Sequence, residues 1–226
     1  MSRTVEIQYD GHIELKQKYG LTKLGVEKNA NWHTDPRRLV FALARYKFVA
    51  KMLGGRQNVL EVGCGDAFPV RILLQEVAKV HGVDIDPAFI DDANERMDPQ
   101  WPFTCAVHDI TRGPVPGRFD AAYSLDVLEH IAADSEHLFF EHICASLEDD
   151  GVLIVGMPSL ESQAYASPLS KIGHINCKSA PVLKELAQRY FRNVFMFSMN
   201  DEVVHTGYHP MAQYILALCV GKRITP

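Results

Sequence analysis

The chain has 226 residues, 47% hydrophobic and 23% charged, proportions that exclude a disordered or fibrous protein. Its formal net charge of −5, with no run of Lys and Arg, argues against a surface that follows nucleic-acid phosphates. The five cysteines are widely spaced and contain no Cys-x-x-Cys pair, so neither a disulfide framework nor a zinc site is indicated.

The first 56 residues predict helices. We expect one short helix at 13–19 and a longer one at 36–53, which begins where Asp35 supplies an N-cap carboxylate and Pro36 the first helical residue. The N-terminus lacks the basic and then apolar pattern of a signal peptide, and no apolar stretch approaches the roughly 20 residues of a membrane helix. These features predict a cytoplasmic protein without membrane insertion.

From residue 58 onward, short apolar strands alternate with amphipathic helices. Strands are predicted at 58–62, 79–84, 102–107, 119–124 and 151–157, and helices at 68–78, 87–96, 134–147 and 179–190. This order is typical of a mostly parallel sheet covered on both faces. Two final strand-like runs, 193–199 and 213–220, have no helix between them and are therefore expected to be antiparallel.

The predicted fold is therefore α/β: a doubly wound, Rossmann-like sheet, mostly parallel, with an antiparallel C-terminal hairpin strand and N-terminal helices. Residues 1–56 are expected to form a helical cap and residues 57–226 the main domain. Two long loops, 158–178 and 200–211, are expected to border the site, because loops of this length in compact domains are commonly functional.

A glycine turn follows the first predicted strand. Gly63 and Gly65 allow the backbone to turn sharply and to approach a ligand closely. Phe68 stands where the third glycine of the dinucleotide fingerprint would be, which counts against NAD. Glu61 precedes the turn and suits a cationic amino acid group better than a pyrophosphate. The turn thus predicts a nucleoside-type ligand carrying a cationic group, and a plain strand-to-helix turn is the alternative.

Carboxylates also stand at the ends of the next two strands. Asp84 is placed to accept hydrogen bonds from ribose hydroxyls, whereas Asp86 is better explained as a helix N-cap. Asp109 follows the third strand and offers an acceptor to an adenine amino group, with Ile110 against the ring. A simple turn residue is the alternative for Asp109.

Four segments in this order resemble the class I S-adenosylmethionine-dependent methyltransferases. The first three are 61–65, 82–85 and 108–110, and the fourth joins Phe119-Asp120-Ala121 to the run Leu125-Asp126-Val127-Leu128-Glu129-His130-Ile131. Within that superfamily the last run is most similar to the ubiquinone-biosynthesis O-methyltransferase-like branch of small-molecule enzymes. The resemblance covers about residues 57–157.

The resemblance implies S-adenosyl-L-methionine as the cofactor and S-adenosyl-L-homocysteine as the product. Gly63 and Gly65 would line the methionine portion and Glu61 would face its amino end. For the rest of the cofactor, the resemblance implies that Asp84 holds the ribose, that Ile85, Asp109 and Ile110 surround adenine, that Leu125 makes a backbone contact and that Arg45, or alternatively Arg38, reaches the carboxylate.

Methyl transfer to a hydroxyl requires a group that removes the acceptor proton. Asp126 and His130 follow the fourth strand, and His174, His205 and His209 lie in the two long loops. We take His130, Asp126, His174 and His209 as candidate catalytic residues, with a purely structural role as the alternative for His130. A magnesium site formed by His174, His205, His209 and Asp201 matches no metal motif, and none is predicted.

The favoured function is O-methylation of a small polar molecule or glycan unit by a monomer or homodimer that does not act on nucleic acid. N-methylation of an amine or amino sugar is the alternative for the acceptor. A methyltransferase-like binding subunit without turnover is the alternative for the whole chain. An NAD-dependent oxidoreductase is disfavoured by Phe68 and by the lack of a Tyr-x-x-x-Lys pair.

Overall fold

The structure is a computed structural model that describes residues 4–223, so the outermost residues of both predicted domains, 1–3 and 224–226, lie outside it. Within that range the helices are α1 (Asp10–Tyr19), α2 (Val26–Thr34), α3 (Arg37–Met52), α4 (Val70–Leu73), α5 (Pro87–Glu95), α6 (Glu136–Ser146), α7 (Pro168–Gly173) and α8 (Ala180–Gln188). The strands are β1 (Val59–Val62), β2 (Val80–Asp84), β3 (Thr104–Val107), β4 (Phe119–Leu125), β5 (Leu147–Pro158), β6 (Phe191–Asn200), β7 (Val203–His205) and β8 (Tyr214–Lys222).

All eight strands form one sheet in the order β3-β2-β1-β4-β5-β8-β6-β7. The pairs among β1 to β5 are parallel, whereas β8 is antiparallel to both β5 and β6. The predicted fold class, with its antiparallel C-terminal strands, is therefore confirmed. The short edge strand β7, antiparallel to β6, lies in the segment that the sequence predicted as a loop.

Alternating side chains divide the core between the two faces of the sheet. On β1, Leu60 and Val62 pack into a cluster with α6 and α8, which includes Phe139 and Leu183. Val59 points to the opposite face, into a second cluster where α3 contributes side chains. Because successive strand residues face opposite sides, Glu61 lies on the α3 side, under Tyr46.

The N-terminal helices are more extensive than the sequence predicted. Helix α2 was missed, because its sequence has little apolar periodicity. Helix α3 lies within the range predicted for the longer helix and contributes Tyr46, Val49 and Ala50 to the second core cluster. The boundary at residue 56 thus marks a change of secondary structure, while the core is continuous across it.

The topology also locates a crevice. The chain moves outward through β1, β2 and β3, and then returns to place β4 on the other side of β1. In such sheets ligands bind outside the carboxyl ends of the strands, at the point where the strand order reverses. Here that point lies between β1 and β4. No helix within residues 4–223 is long and apolar enough to cross a membrane.

Candidate active site

Two adjoining cavities open at the carboxyl ends of β1, β2 and β4. The first has a volume of about 660 Å³ and extends beneath α2, α3 and α7, and the second, of about 400 Å³, lies beside β2 and the loop after β3. They share four lining residues, Gly63, Asp84, Val127 and His130. A ligand with two distinct ends therefore fits across the pair, with the glycine turn at its middle.

The glycine turn has the backbone geometry that its sequence predicted. Gly63 has φ +79° and Gly65 has φ +51°, conformations that side chains disfavour. A Cβ added to Gly63 would lie 2.0 Å from Cγ2 of Val127. The Gly63 N–H donates to the Val83 carbonyl at 2.7 Å, which ties the turn to β2.

Asp84 stands where the two cavities meet. Its Oδ2 accepts the Gly65 N–H at 2.8 Å and its Oδ1 accepts the Asp86 N–H at 2.9 Å, so the carboxylate is held in a fixed orientation. Asp86 in turn accepts the Ala88 N–H at 2.9 Å as the N-cap of α5, which is the role predicted for it. Asp84 thus remains the residue placed to meet a ribose.

The second cavity is lined mainly by apolar groups, and its two carboxylates are those of Asp84 and Asp109. Ile85 is 67% exposed at one side, whereas Ile110 is buried. Asp109 also lines the cavity, and its Oδ1 accepts the N–H and hydroxyl of Thr111 at 2.9 and 2.6 Å. The Thr111 hydrogen bonds and the Arg112 guanidinium lower the pKa of Asp109. A flat heterocycle with an exocyclic amino group suits this arrangement.

Glu61 lies deeper than the sequence suggested. It is 1% exposed, lines neither cavity, and accepts a hydrogen bond from the Tyr46 hydroxyl. Burial raises its pKa to about 7, although the hydrogen bond from Tyr46 opposes the shift. Tyr46 itself lines the first cavity, so its side chain connects Glu61 to the cavity by a hydrogen bond. The predicted contact between Glu61 and a cofactor amino group stays a prediction.

Arg45 points into the first cavity but is engaged by another residue. Its Nη1 lies 2.6 Å from Oδ2 of Asp126, and its guanidinium stacks 3.8 Å from the ring centre of Tyr214. Asp126 follows β4 with φ +59°, a strained conformation for a residue other than glycine. Arg38, the alternative partner for the cofactor carboxylate, lines the same cavity, and its Nε lies 4.0 Å from Oδ2 of Asp35.

Three titratable groups meet in the lining of the first cavity. One ligand atom from each of Glu129, His130 and His174 lies within 4.8 Å of the others. Burial raises the pKa of Glu129 well above its usual value, and neighbouring Asp126 adds to the shift. Burial, followed by the proximity of His130, lowers the pKa of His174.

Not every candidate residue joins the site. His209, in a short 3₁₀ turn at His209–Met211, lines neither cavity, and Nε2 of His205 contacts Asn200 at 2.9 Å. The other candidates, Leu125 included, line one or both cavities, apart from Glu61. Catalytic roles for Asp126, His130, His174 and His209 remain predictions.

The sequence also missed site residues. Helix α2 brings Glu27 and Lys28 to the first cavity, where Oε2 of Glu27 would lie 3.1 Å from a Cβ added to Gly65. Asp66, just after the glycine turn, accepts the Lys28 backbone N–H at 2.9 Å and holds α2 there. The only sequence signal for this contact was an acidic residue at the turn.

Comparison with known proteins gives a family match over part of the chain and structures of similar fold. Residues 59–151 match the family model described as "Methyltransferase domain", and no curated protein matches the chain. One similar structure is a complex of the Haloferax volcanii Trm112 methyltransferase activator with a methyltransferase, at TM-score 0.64 and 13% identity over 89% of this chain and 100% of that one.

Two further structures are similar at the level of the fold. The N-methyltransferase NodS from Bradyrhizobium japonicum WM9, in complex with S-adenosylhomocysteine, has TM-score 0.60 and 18% identity over 84% of this chain and 91% of that one. The DhpI complex with S-adenosylhomocysteine has TM-score 0.63 and 16% identity over 87% and 93% of the two chains.

These matches agree with the predicted cofactor, S-adenosylmethionine, since two of the structures were determined with its demethylated product. They do not distinguish the ubiquinone-biosynthesis branch from others. Residues 59–151 are similar to the methyltransferase-domain family model, and the chain shares the Rossmann-like α/β fold of these methyltransferase structures.

Proposed function

We propose that the chain transfers the methyl group of S-adenosylmethionine to a hydroxyl group of a small polar molecule or glycan unit. The observation that carries the proposal is the pair of joined cavities with Gly63 and Asp84 at their junction. One cavity suits adenine. The other has room for the methionine portion and for an acceptor beside it.

The cofactor would lie across the glycine turn. Adenine would occupy the second cavity between Ile85 and Ile110, and the ribose hydroxyls would donate to Asp84. The methionine portion would extend into the first cavity towards α3, where Arg45 and Arg38 are the candidate partners of its carboxylate. The sulfonium is already a strong electrophile, so the protein mainly aligns the acceptor and excludes water.

The lining of the first cavity supports a polar acceptor. Its titratable groups include Asp126, Glu129, His130 and His174, and Ser167 and Ser170 come from the flanking loop. A hydroxyl must lose its proton during or after attack, and carboxylate and imidazole groups suit that task. The resemblance to the ubiquinone-biosynthesis branch also favours oxygen as the acceptor atom.

The acidic groups also give an amine acceptor some support, because Glu129 would attract a cationic group. An amine must arrive neutral before it attacks the methyl group, which a nearby carboxylate disfavours. Hydroxyl acceptors therefore remain the first choice. A screen of sugars, sugar nucleotides, phenols and amines for S-adenosylhomocysteine formation distinguishes them, and binding without any turnover would identify a non-catalytic subunit.

The cofactor site is tested by Asp84→Ala, which removes the predicted acceptor of two ribose hydroxyls. Hydrogen bonds to a charged group contribute about 1.5–3 kcal/mol each, so we expect affinity for S-adenosylhomocysteine to fall at least about 100-fold in calorimetric titration. The matched control is Asp86→Ala, two residues away, which removes only the N-cap of α5. Equal affinity of Asp84→Ala and the parent protein would refute the assigned pocket.

A further inference from the structure

The lining of the first cavity includes a carboxylate without a hydrogen-bond partner among residues 4–223. Glu129 lies in the 3₁₀ turn Leu128–His130 that follows β4, and it is 0% exposed. Neither of its carboxylate oxygens has a hydrogen-bond partner among residues 4–223, yet the residue lines the cavity. A buried carboxylate without a partner is costly, by several kcal/mol, so an unmatched carboxylate facing a cavity indicates a ligand that completes it.

Arg45, a cationic side chain that lines the same cavity, does not pair with Glu129. Its Nη1 is paired with Asp126 at 2.6 Å, and its guanidinium lies over Tyr214. The carboxylate of Glu129 therefore lacks the direct pairing that a buried acid requires. A ligand of positive charge satisfies it.

Two histidines beside Glu129 are each held through Nδ1. Nδ1 of His130 lies 2.9 Å from the Gly173 carbonyl oxygen, and Nδ1 of His174 lies 2.9 Å from Oε1 of Gln163. Since both partners are acceptors, each Nδ1 carries the proton in the neutral ring, which leaves Nε2 with a free lone pair. A histidine fixed through one nitrogen and free at the other is the arrangement seen in metal ligands.

From these three side chains we propose that Glu129, His130 and His174 bind a divalent transition-metal cation in the first cavity. One ligand atom from each lies within 4.8 Å of the others. Ligand atoms adjacent around one ion, each about 2.1 Å from it, are separated by roughly 3 Å, so the three groups would have to approach one another by up to about 2 Å on binding.

The ligand set indicates the class of ion. Two imidazoles and one carboxylate suit Zn²⁺, Fe²⁺, Co²⁺ or Mn²⁺, whereas Mg²⁺ and Ca²⁺ prefer all-oxygen sets. Three protein ligands leave coordination positions open towards the cavity. The sequence named His130 and His174 as catalytic candidates but gave no sign that they share an ion with Glu129, because His174 comes 44 positions after His130 and joins it through the loop that contains α7.

The role of the ion rests on the proposed function. His130 lines both cavities, so the ion would lie next to the methyl donor. An acceptor hydroxyl bound at an open position would lose its proton to water more readily, because the metal lowers its pKa. The oxygen then forms a bond to the methyl carbon while the S–CH₃ bond breaks, and sulfur keeps that electron pair as the neutral thioether.

The experiment uses Co²⁺ as the probe, added to the full-length, chelator-treated protein bound to S-adenosylhomocysteine. Visible absorbance and calorimetric titration report the ligand field and the stoichiometry. We expect one Co²⁺ per chain and at least tenfold weaker binding in Glu129→Gln, His130→Ala and His174→Ala. The matched control is His137→Ala, an exposed histidine on α6 outside the cluster, which should bind Co²⁺ like the parent protein.

The outcomes separate the two proposals. The metal site is overturned if the parent does not bind Co²⁺, or if all three cluster variants bind it as the parent does. The cofactor site still stands in that case if S-adenosylhomocysteine binds. Co²⁺ binding without any binding of S-adenosylhomocysteine supports the metal site and overturns the cofactor site. Unfolding curves of each variant check the fold, and Glu129→Gln, which preserves side-chain shape, retains the test if an alanine variant fails to fold.

Discussion

Gly63 combines two constraints that no other residue type satisfies. Its φ of +79° costs an L-residue about 1–2 kcal/mol, and the space where a Cβ would stand is filled by Cγ2 of Val127 at 2.0 Å. Val127 belongs to the segment after β4 and lines both cavities. The glycine therefore lets two strand ends approach each other across the site.

Gly63→Ala should consequently weaken cofactor binding as well as stability. The added methyl must displace either Val127 or the turn, so we expect affinity for S-adenosylhomocysteine to fall about tenfold or more and stability to fall by about 1–3 kcal/mol. Calorimetric titration and urea unfolding measure the two effects. In α1, a Cβ added to Gly11 meets nothing within 4 Å, so Gly11→Ala should leave the affinity unchanged. Parental affinity in Gly63→Ala would contradict this account.

Sequence reasoning located at one sheet edge those candidate residues whose position is fixed by local geometry, and their contacts with a cofactor stay predictions. Asp84 ends β2, and Gly63, Gly65 and Asp109 follow the ends of β1 and β3, and the parallel sheet gathers those ends at one edge. It was less informative for Glu61, which α3 covers. It also missed the cluster at Glu129, since the burial of that residue depends on elements distant in the chain.

At the level of elements, α2 is attached to the domain chiefly through polar contacts. Asp66 is 1% exposed, and it accepts the Lys28 N–H at 2.9 Å and the Phe68 N–H at 3.1 Å. The Val26 N–H donates to Asp92 at 3.2 Å. Two orphan donors in the first turn of α2 are thus satisfied by side chains of the main domain, which positions Glu27 over the glycine turn.

Asp66→Ala should detach α2 without unfolding the sheet. Loss of a buried acceptor leaves the Lys28 N–H unsatisfied and costs about 1–3 kcal/mol, a loss confined largely to the helix. We expect faster amide hydrogen exchange over residues 26–34 and faster tryptic cleavage at Lys28. Asp91→Ala, an exposed aspartate on α5, is the control. Parental exchange rates in α2 would show that other contacts hold it.

The elements that the sequence predicted well are those with strong local patterns. The strands β1, β2 and β4 and the helices α5, α6 and α8 all lie close to their predicted bounds, because their apolar periodicity matches their burial. Helices α2 and α7 were missed. Helix α2 has little apolar periodicity and is held in place by Asp66. Helix α7 is only six residues long, which is too short for a periodic pattern to show.

For the molecule as a whole, Glu61 makes stability depend on pH. It is an acid whose folded-state pKa, about 7, exceeds the ordinary value of 4.5 because burial disfavours its charged form. Between these values the folded state binds more protons than the unfolded state, so stability falls as pH rises. The separation corresponds to roughly 3 kcal/mol, lost progressively from about pH 5 to pH 8.

Glu61→Gln should remove this dependence, since the amide retains an acceptor for Tyr46 and carries no charge at either pH. We expect the free energy of unfolding of the variant, relative to the parent, to rise by up to roughly 3 kcal/mol between pH 5 and pH 8 in urea titrations. The contribution of Glu129 is present in both proteins and cancels in the difference. Glu148→Gln, at an exposed position, should show no such trend. If the difference between Glu61→Gln and the parent stays constant with pH, Glu61 does not titrate in this range, and another buried acid must account for any loss of stability.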